Sequence, residues 1–217
     1  MNHDLIVFDL DGTLVDSEPV ANRVFYEKLM AAGLNPTIDE ARVTRDFTGL
    51  SLESCFALAR EQYGLALPPG FRDDLQDETY RRLQRDLQPI PGAEALLSRL
   101  TGPRCVASSS EAKKIVFSLE RTGLARFFAP EALFSAQQVA RGKPEPDLFL
   151  FAAQRMAADP NRCLVVEDSL PGATAGIRAG MQVFAYRPAA DAAQDAPFKA
   201  LGCRIIRRLD ELQAIVY

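Results

Sequence analysis

Six short apolar runs punctuate the chain and constrain its fold more than any other feature: LIVFDL (5–10), RCVASSS (104–110), ALFSA (132–136), CLVVEDS (163–169), MQVFAY (181–186) and CRII (203–206). Each reads as a strand, and helical segments separate most of the later ones. Strand alternating with helix implies βαβ units and a parallel sheet covered on both faces. The stretch between the first two runs has a different texture. From 17 to 87 the pattern is helical, with a helix from about 18 to 32 and others over 39–47, 51–63 and 71–87. Gly33, Gly64 and the Pro68, Pro69, Gly70 cluster break it. Ser17 is the expected N-cap of the first helix, with Pro19 inside its first turn. The chain is therefore expected to form an α/β core domain from 1–16 and 88–217, interrupted after its first strand by a helical cap domain over 17–87. A cap inserted there would stand over the C-terminal edge of the sheet, where open α/β folds bind ligands. The Ala- and Asp-rich stretch 188–197 reads as an exposed loop.

A chain of 217 residues can bury a substantial core. The net charge of −4 argues against nucleic acid as a partner, and the basic pairs Arg81, Arg82 and Arg207, Arg208 are isolated. Cys55, Cys105, Cys163 and Cys203 lie far apart with no CxxC pair, which reads as reduced core thiols. No apolar run approaches the ~18 residues that span a bilayer, and no basic-then-apolar leader opens the chain, so a cytoplasmic protein without a membrane partner is expected. The sole histidine, His3, precedes the first strand and reads as incidental.

Three of the apolar runs stop abruptly on polar groups: IVFDLDGT, CVASSS and LVVEDS. A fourth polar site, RGKPEPD (141–147), carries Lys143 just before a helix. Residues two apart on a strand point the same way, so Asp9 and Asp11 are expected on one face. Two ionised carboxylates about 5 Å apart repel by about 3 kcal/mol at an effective dielectric of about 20. A divalent cation or a shared proton can offset that. Taken together, the strand ends supply a chemical kit. Asp9 can act as a nucleophile and Asp11 as a general acid/base. Asp9 and Asp168 offer oxygen ligands to a hard cation such as Mg²⁺. Ser108 and the amides after it can bind phosphate oxygens at a helix N-terminus, and Lys143 supplies positive charge.

In these residues the chain resembles the haloacid dehalogenase superfamily, in the branch with a helical cap after the first strand. That branch contains β-phosphoglucomutases, phosphoglycolate phosphatases and sugar-phosphate phosphatases. DLDGT (9–13), CVASSS (105–110), GKPEPDLF (142–149) and VVEDS (165–169) look like the four family motifs, in order and with family-like spacing. The resemblance implies a Rossmann-like parallel-sheet core with a helical cap. It implies Asp9 as nucleophile and Mg²⁺ ligand, and Asp11 as acid/base lending its backbone carbonyl to the metal. Ser108 would bind phosphate with Ser109 nearby, Gly12 and Thr13 of the first motif would line the substrate site, and Lys143 would steady the phosphate and the aspartyl group. Asp168 would ligate Mg²⁺, and Glu167 would do so directly or through water.

Asp11 argues against dehalogenation, because a carbon–halogen leaving group takes no proton whereas an ester oxygen does. Phosphomutases of this branch place an arginine after the first cap loop and a histidine early in the first cap helix. Here Leu52 and Ala21 stand at those positions. The reading is a phosphatase, with a phosphomutase as the alternative and a non-catalytic phosphometabolite-binding protein behind it. In the cap segment expected to face the core, Arg45, Thr48, Gly49 and Leu50 are candidate substrate contacts, with Arg23 on the first cap helix. The expected partner is a small sugar phosphate or phosphorylated sugar acid such as 6-phosphogluconate, met by a monomer.

Overall fold

The computed structural model describes residues 3–47 and 52–213. Six strands, β1 (Leu5–Phe8), β2 (Arg104–Ser108), β3 (Leu133–Ser135), β4 (Cys163–Glu167), β5 (Gln182–Tyr186) and β6 (Arg204–Ile206), form one sheet in the order β3-β2-β1-β4-β5-β6. All neighbours are parallel, as the strand–helix alternation predicts. The early strands lie on one side of β1 and the late ones on the other. The order therefore reverses between β1 and β4, and their carboxyl ends flank the crevice that such a switch point opens.

The helices of this α/β unit are α5 (Ala93–Arg99), α6 (Ala112–Arg121), α7 (Asp147–Arg155), α8 (Leu170–Arg178) and α9 (Ala192–Ala200). Alternate strand residues Leu5, Val7, Cys105, Ala107, Val165 and Val183 join Leu148, Phe149, Ala152, Ala173 and Phe198 of the helices in one buried cluster. Ile6, Phe8, Val106, Leu164, Val166 and Phe184 occupy the alternate positions and are buried as well. With both faces covered, a strand such as β1 is apolar at every position. The four cysteines are buried free thiols. Among the described residues no helix is long and apolar enough to cross a membrane.

The chain divides into two compact units, Met1–Asp16 with Gln88–Tyr217, and Ser17–Leu87. The second unit contains α1 (Glu18–Ala31), α2 (Glu40–Phe47), α3 (Leu52–Glu61) and α4 (Phe71–Asp86). Its own core gathers Val24, Phe25, Leu29, Val43, Phe47, Phe71 and Leu75. Phe25 and Phe47 meet edge to face at 5.1 Å, and Phe47 stacks on Tyr63 at 5.6 Å.

Three expectations need correction. Ser17 stands at the N-cap position but has helical backbone angles (φ −87°, ψ −23°), and its side chain makes no capping hydrogen bond. The stretch 188–197 is not a loop throughout, because α9 begins at Ala192. Asp191 caps it by accepting from the amides of Ala193 and Gln194, and Asp195 and Phe198 are buried. Finally, β1 ends at Phe8, one residue before Asp9, so strand alternation does not govern where Asp9 and Asp11 point.

Candidate active site

Asp9 leaves β1 still tied to β4, its amide donating to the Val166 carbonyl at 2.9 Å. Phe8 pairs in register with Val166, so Asp9 emerges beside Glu167. A tight turn follows, in which the Leu10 carbonyl accepts from Leu14 at 2.8 Å and Val15 at 3.0 Å. Gly12 has φ +81°, and a Cβ there would lie 2.3 Å from Asp168 Oδ2, so only glycine lets that carboxylate approach. Gly172, in the first turn of α8, stands against Glu167 in the same way, with a Cβ meeting Oε1 at 1.7 Å. Neither glycine is a ligand, yet each vacates the volume a carboxylate fills.

Lys143, delivered by the loop before α7, donates to Asp9 Oδ1 at 2.5 Å and to Glu167 Oε1 at 2.8 Å. Its ammonium also lies 4.9 Å from the Phe149 ring centroid. The three side chains are only 4%, 9% and 1% exposed for Lys143, Asp9 and Glu167, so each charge depends on the others. Glu167 Oε2 further accepts from the Ser169 amide at 2.6 Å. Burial pushes the Asp9 carboxyl up to about 7, with Glu167 and Asp11 adding to the rise and Lys143 opposing it. Burial also disfavours the Lys143 ammonium, but Asp9 and Glu167 outweigh it and hold the lysine protonated above its ordinary range.

Asp9, Glu167 and Asp168 each present an oxygen within 4.8 Å of the others. Thr13 Oγ1 donates to Asp168 Oδ1 at 3.2 Å, and Arg187 Nη1 donates to the Asp168 carbonyl at 3.3 Å. Three carboxylates share this space with one ammonium, and all their donors are hard oxygens. Such a set fits Mg²⁺, which takes carboxylates alongside water and phosphate oxygens, and does not resemble a nitrogen–sulfur zinc site.

Asp11 does not join that cluster through its side chain. It turns to the segment after β2, where Ser110 Oγ in the loop donates to Oδ2 at 2.6 Å and Lys114 Nζ of α6 donates to both carboxylate oxygens at 2.9 Å. Strand alternation puts Asp9 and Asp11 on one face; in the structure the two side chains accept from different ammoniums, Lys143 and Lys114. Ser108 is buried at the end of β2, and its hydroxyl accepts from the Ser110 amide at 3.0 Å. Ser109 is exposed.

The helical-unit candidates take ordinary surroundings. Arg45 is exposed on α2, 3.8 Å from Asp46, and Arg23 pairs with Glu27 and Glu40. Leu52 packs against the helical core and Ala21 lies on α1. Thr48, Gly49 and Leu50 lie outside the described residues. Sequence reasoning missed Lys114 and Gly172. Nothing in the sequence separates Lys114 from Lys113, and Gly172 becomes legible only once Glu167 is placed beneath α8.

The family model of haloacid dehalogenase-like hydrolases matches residues 3–180. The 6-phosphogluconate phosphatase of Escherichia coli (strain K12) is 34% identical over 184 residues, covering 84% of this chain and 82% of the relative. A conserved haloacid dehalogenase-like protein of unknown function from Agrobacterium tumefaciens superposes with a TM-score of 0.88 at 33% identity, over 99% of this chain and 98% of its own. A HAD family hydrolase from Deinococcus radiodurans, crystallised with bound phosphate and sodium, has a TM-score of 0.83 at 32% identity, over 99% and 95% of the two chains.

Proposed function

The chain belongs to the haloacid dehalogenase-like hydrolases, and from that premise we propose that it is a Mg²⁺-dependent phosphatase acting on a small phosphorylated metabolite through an aspartyl phosphate on Asp9. One observation carries the reading: Asp9, buried at the switch point, is hydrogen-bonded to Lys143 within a cluster of hard oxygen ligands. Asp9 and Asp168 would hold the metal, with Glu167 directly or through water and with the Asp11 backbone carbonyl. When bound, Mg²⁺ neutralises charge on the phosphoryl oxygens and on the nucleophile.

Asp9 attacks phosphorus, the ester P–O bond breaks, and Asp11 passes a proton to the departing oxygen. Water then attacks phosphorus while Asp11 takes a proton from it, and the bond to Asp9 breaks to release inorganic phosphate. Ser108 and the amides that follow bind the phosphoryl oxygens, with Ser109 at the rim, and Gly12 and Thr13 line the site. Lys143 stays protonated throughout and offsets the charge of the phosphoryl group. The helical unit would select the leaving group; of its candidate residues Arg45 is exposed on α2, and Gly49 and Leu50 lie outside the described residues.

A phosphorylated sugar acid such as 6-phosphogluconate is the favoured substrate, supported by the relative that bears that activity. Leu52 and Ala21 count against a mutase, which needs cationic groups to hold a second phosphate. Phosphorus NMR of β-glucose 1-phosphate and of 6-phosphogluconate, each with Mg²⁺, tests the reading. Release of inorganic phosphate is expected. Conversion of the first to glucose 6-phosphate without release would establish the mutase instead.

A further inference from the structure

Asp11 is held from several directions. Lys114 Nζ spans both of its oxygens at 2.9 Å and reaches Ser110 Oγ at 3.1 Å. The Ser110 hydroxyl, donating to Asp11, therefore accepts from Lys114, which closes a three-membered ring of contacts. Ser110 is itself fixed, because its carbonyl accepts from Ser135 Oγ at 2.7 Å and its amide donates to Ser108 at 3.0 Å. Ser135 ends β3 and pairs in register with Ser108 at the end of β2. The ring is thus anchored to two strands.

Lys114 occupies an electrostatically adverse place. It lies in the first turn of α6, where the helix dipole disfavours cations, beside Lys113 and with no acidic residue in that turn. The helix dipole therefore supplies no reason for an ammonium at this position, and among the described residues its carboxylate partner is Asp11. Both side chains are about three-quarters shielded, at 29% and 25% exposure, so the pair is screened less than an open surface bridge.

We propose that Lys114, with Ser110, is the positioning residue that sets the plane and reach of Asp11 for proton transfer to the departing oxygen. The inference rests on the reading of Asp11 as general acid. In the step concerned, Asp11 has taken a proton from solvent on one oxygen while the other still accepts from Lys114. The P–O bond to the alcohol breaks, its electron pair goes to oxygen, and that proton is delivered there, returning Asp11 to its ionised form. A general acid acts only within hydrogen-bond reach of that oxygen. A carboxylate with two free torsions seldom holds that place without partners. The ammonium and the hydroxyl restrict both torsions together.

The test compares kcat/KM for phenyl phosphate and 4-nitrophenyl phosphate, two esters of similar shape whose leaving groups differ widely in basicity. The ratio kcat/KM covers the steps through departure of the phenolate, and only the more basic leaving group depends heavily on an acid. Lys114→Met is expected to lose at least about tenfold more on phenyl phosphate than on the nitro ester, within the ~10²–10⁴ that a general acid supplies. Lys114→Arg should recover most of that difference, and Ser110→Ala should shift it in the same direction by less. Equal losses on both esters in Lys114→Met and Ser110→Ala, or no loss in either, would overturn the proposal. Asp11→Asn separates the two layers. If it discriminates between the esters while Lys114→Met does not, the positioning role alone fails. If Asp11→Asn loses equally on both, or the wild type hydrolyses neither, the acid reading falls and takes this inference with it.

Discussion

The α/β unit and the helical unit handle charge in opposite ways. Among the described residues, the buried charged groups Asp9, Glu167 and Asp195 all belong to the α/β unit, and Lys143 joins the first two. The helical unit leaves its charges exposed or only partly buried, as in the chain Arg23–Glu27–Arg82–Glu78 and the pair Lys28–Asp74. Its interior is apolar and aromatic. Burying an ion costs far more than leaving it in water, so a folded chain does so only where partners are assembled. The α/β unit assembles them at the carboxyl ends of β1 and β4. The contrast places the buried charged groups in one unit and an apolar, aromatic interior in the other.

Three substitutions press hardest on that contrast. Asp9→Asn should lower turnover by at least about a thousandfold, as loss of a nucleophile does, with the circular dichroism spectrum unchanged. A residual rate within tenfold of wild type would break the account. Lys143→Met should destabilise the metal-free protein by about 3–5 kcal/mol, because the buried Glu167 carboxylate loses its ammonium partner and Asp9 must stay protonated beside it. Urea denaturation measures this, and added Mg²⁺ should restore part of the loss. Leu29→Ala, in the core of the helical unit, should cost about 2–4 kcal/mol through transfer and cavity terms. The Mg²⁺ concentration that gives half-maximal turnover should nonetheless stay as in the wild type.

The parallel sheet was legible because continuous apolar runs separated by helical patterns admit few other arrangements. The polar strand ends were legible for a related reason, since Asp9, Ser108 and Glu167 each follow an apolar run without transition. The direction of the Asp11 side chain was not. It depends on the turn that starts after Phe8 and on a ring closed by Lys114, residues 103 apart in sequence. Helix α9 was hidden by Pro188 and Pro197, because proline reads as a breaker. The Asp191 cap and the burial of Phe198 outweigh it. Ser17 shows the converse, a favourable capping residue whose backbone is helical and whose side chain does not cap.

Two smaller effects sharpen the comparison. Burial raises the Asp9 carboxyl from its unfolded value to about 7 in the metal-free protein. The native state then binds more protons than the unfolded chain between those limits, so this group's contribution to stability falls as pH rises from the ordinary carboxylate range to about 7 and is level above it. Metal-free Asp9→Asn should gain stability relative to wild type as pH rises from about 5 to about 7, with no further gain above that, read from the difference in Tm, and a constant difference across that range would contradict this. The smallest effect belongs to the helical surface. Arg23→Ala removes exposed ion pairs to Glu27 and Glu40 and should leave the denaturation midpoint unchanged within replicate scatter.

The central claim is that the phosphoryl group passes through Asp9. Wild-type protein mixed with Mg²⁺ and radiolabelled substrate, then quenched in acid within the first turnovers, tests it most directly. The account predicts acid-stable, hydroxylamine-labile phosphate on the peptide that contains Asp9, lost in Asp9→Asn. Steady turnover with no label on that peptide at any quench time would contradict it.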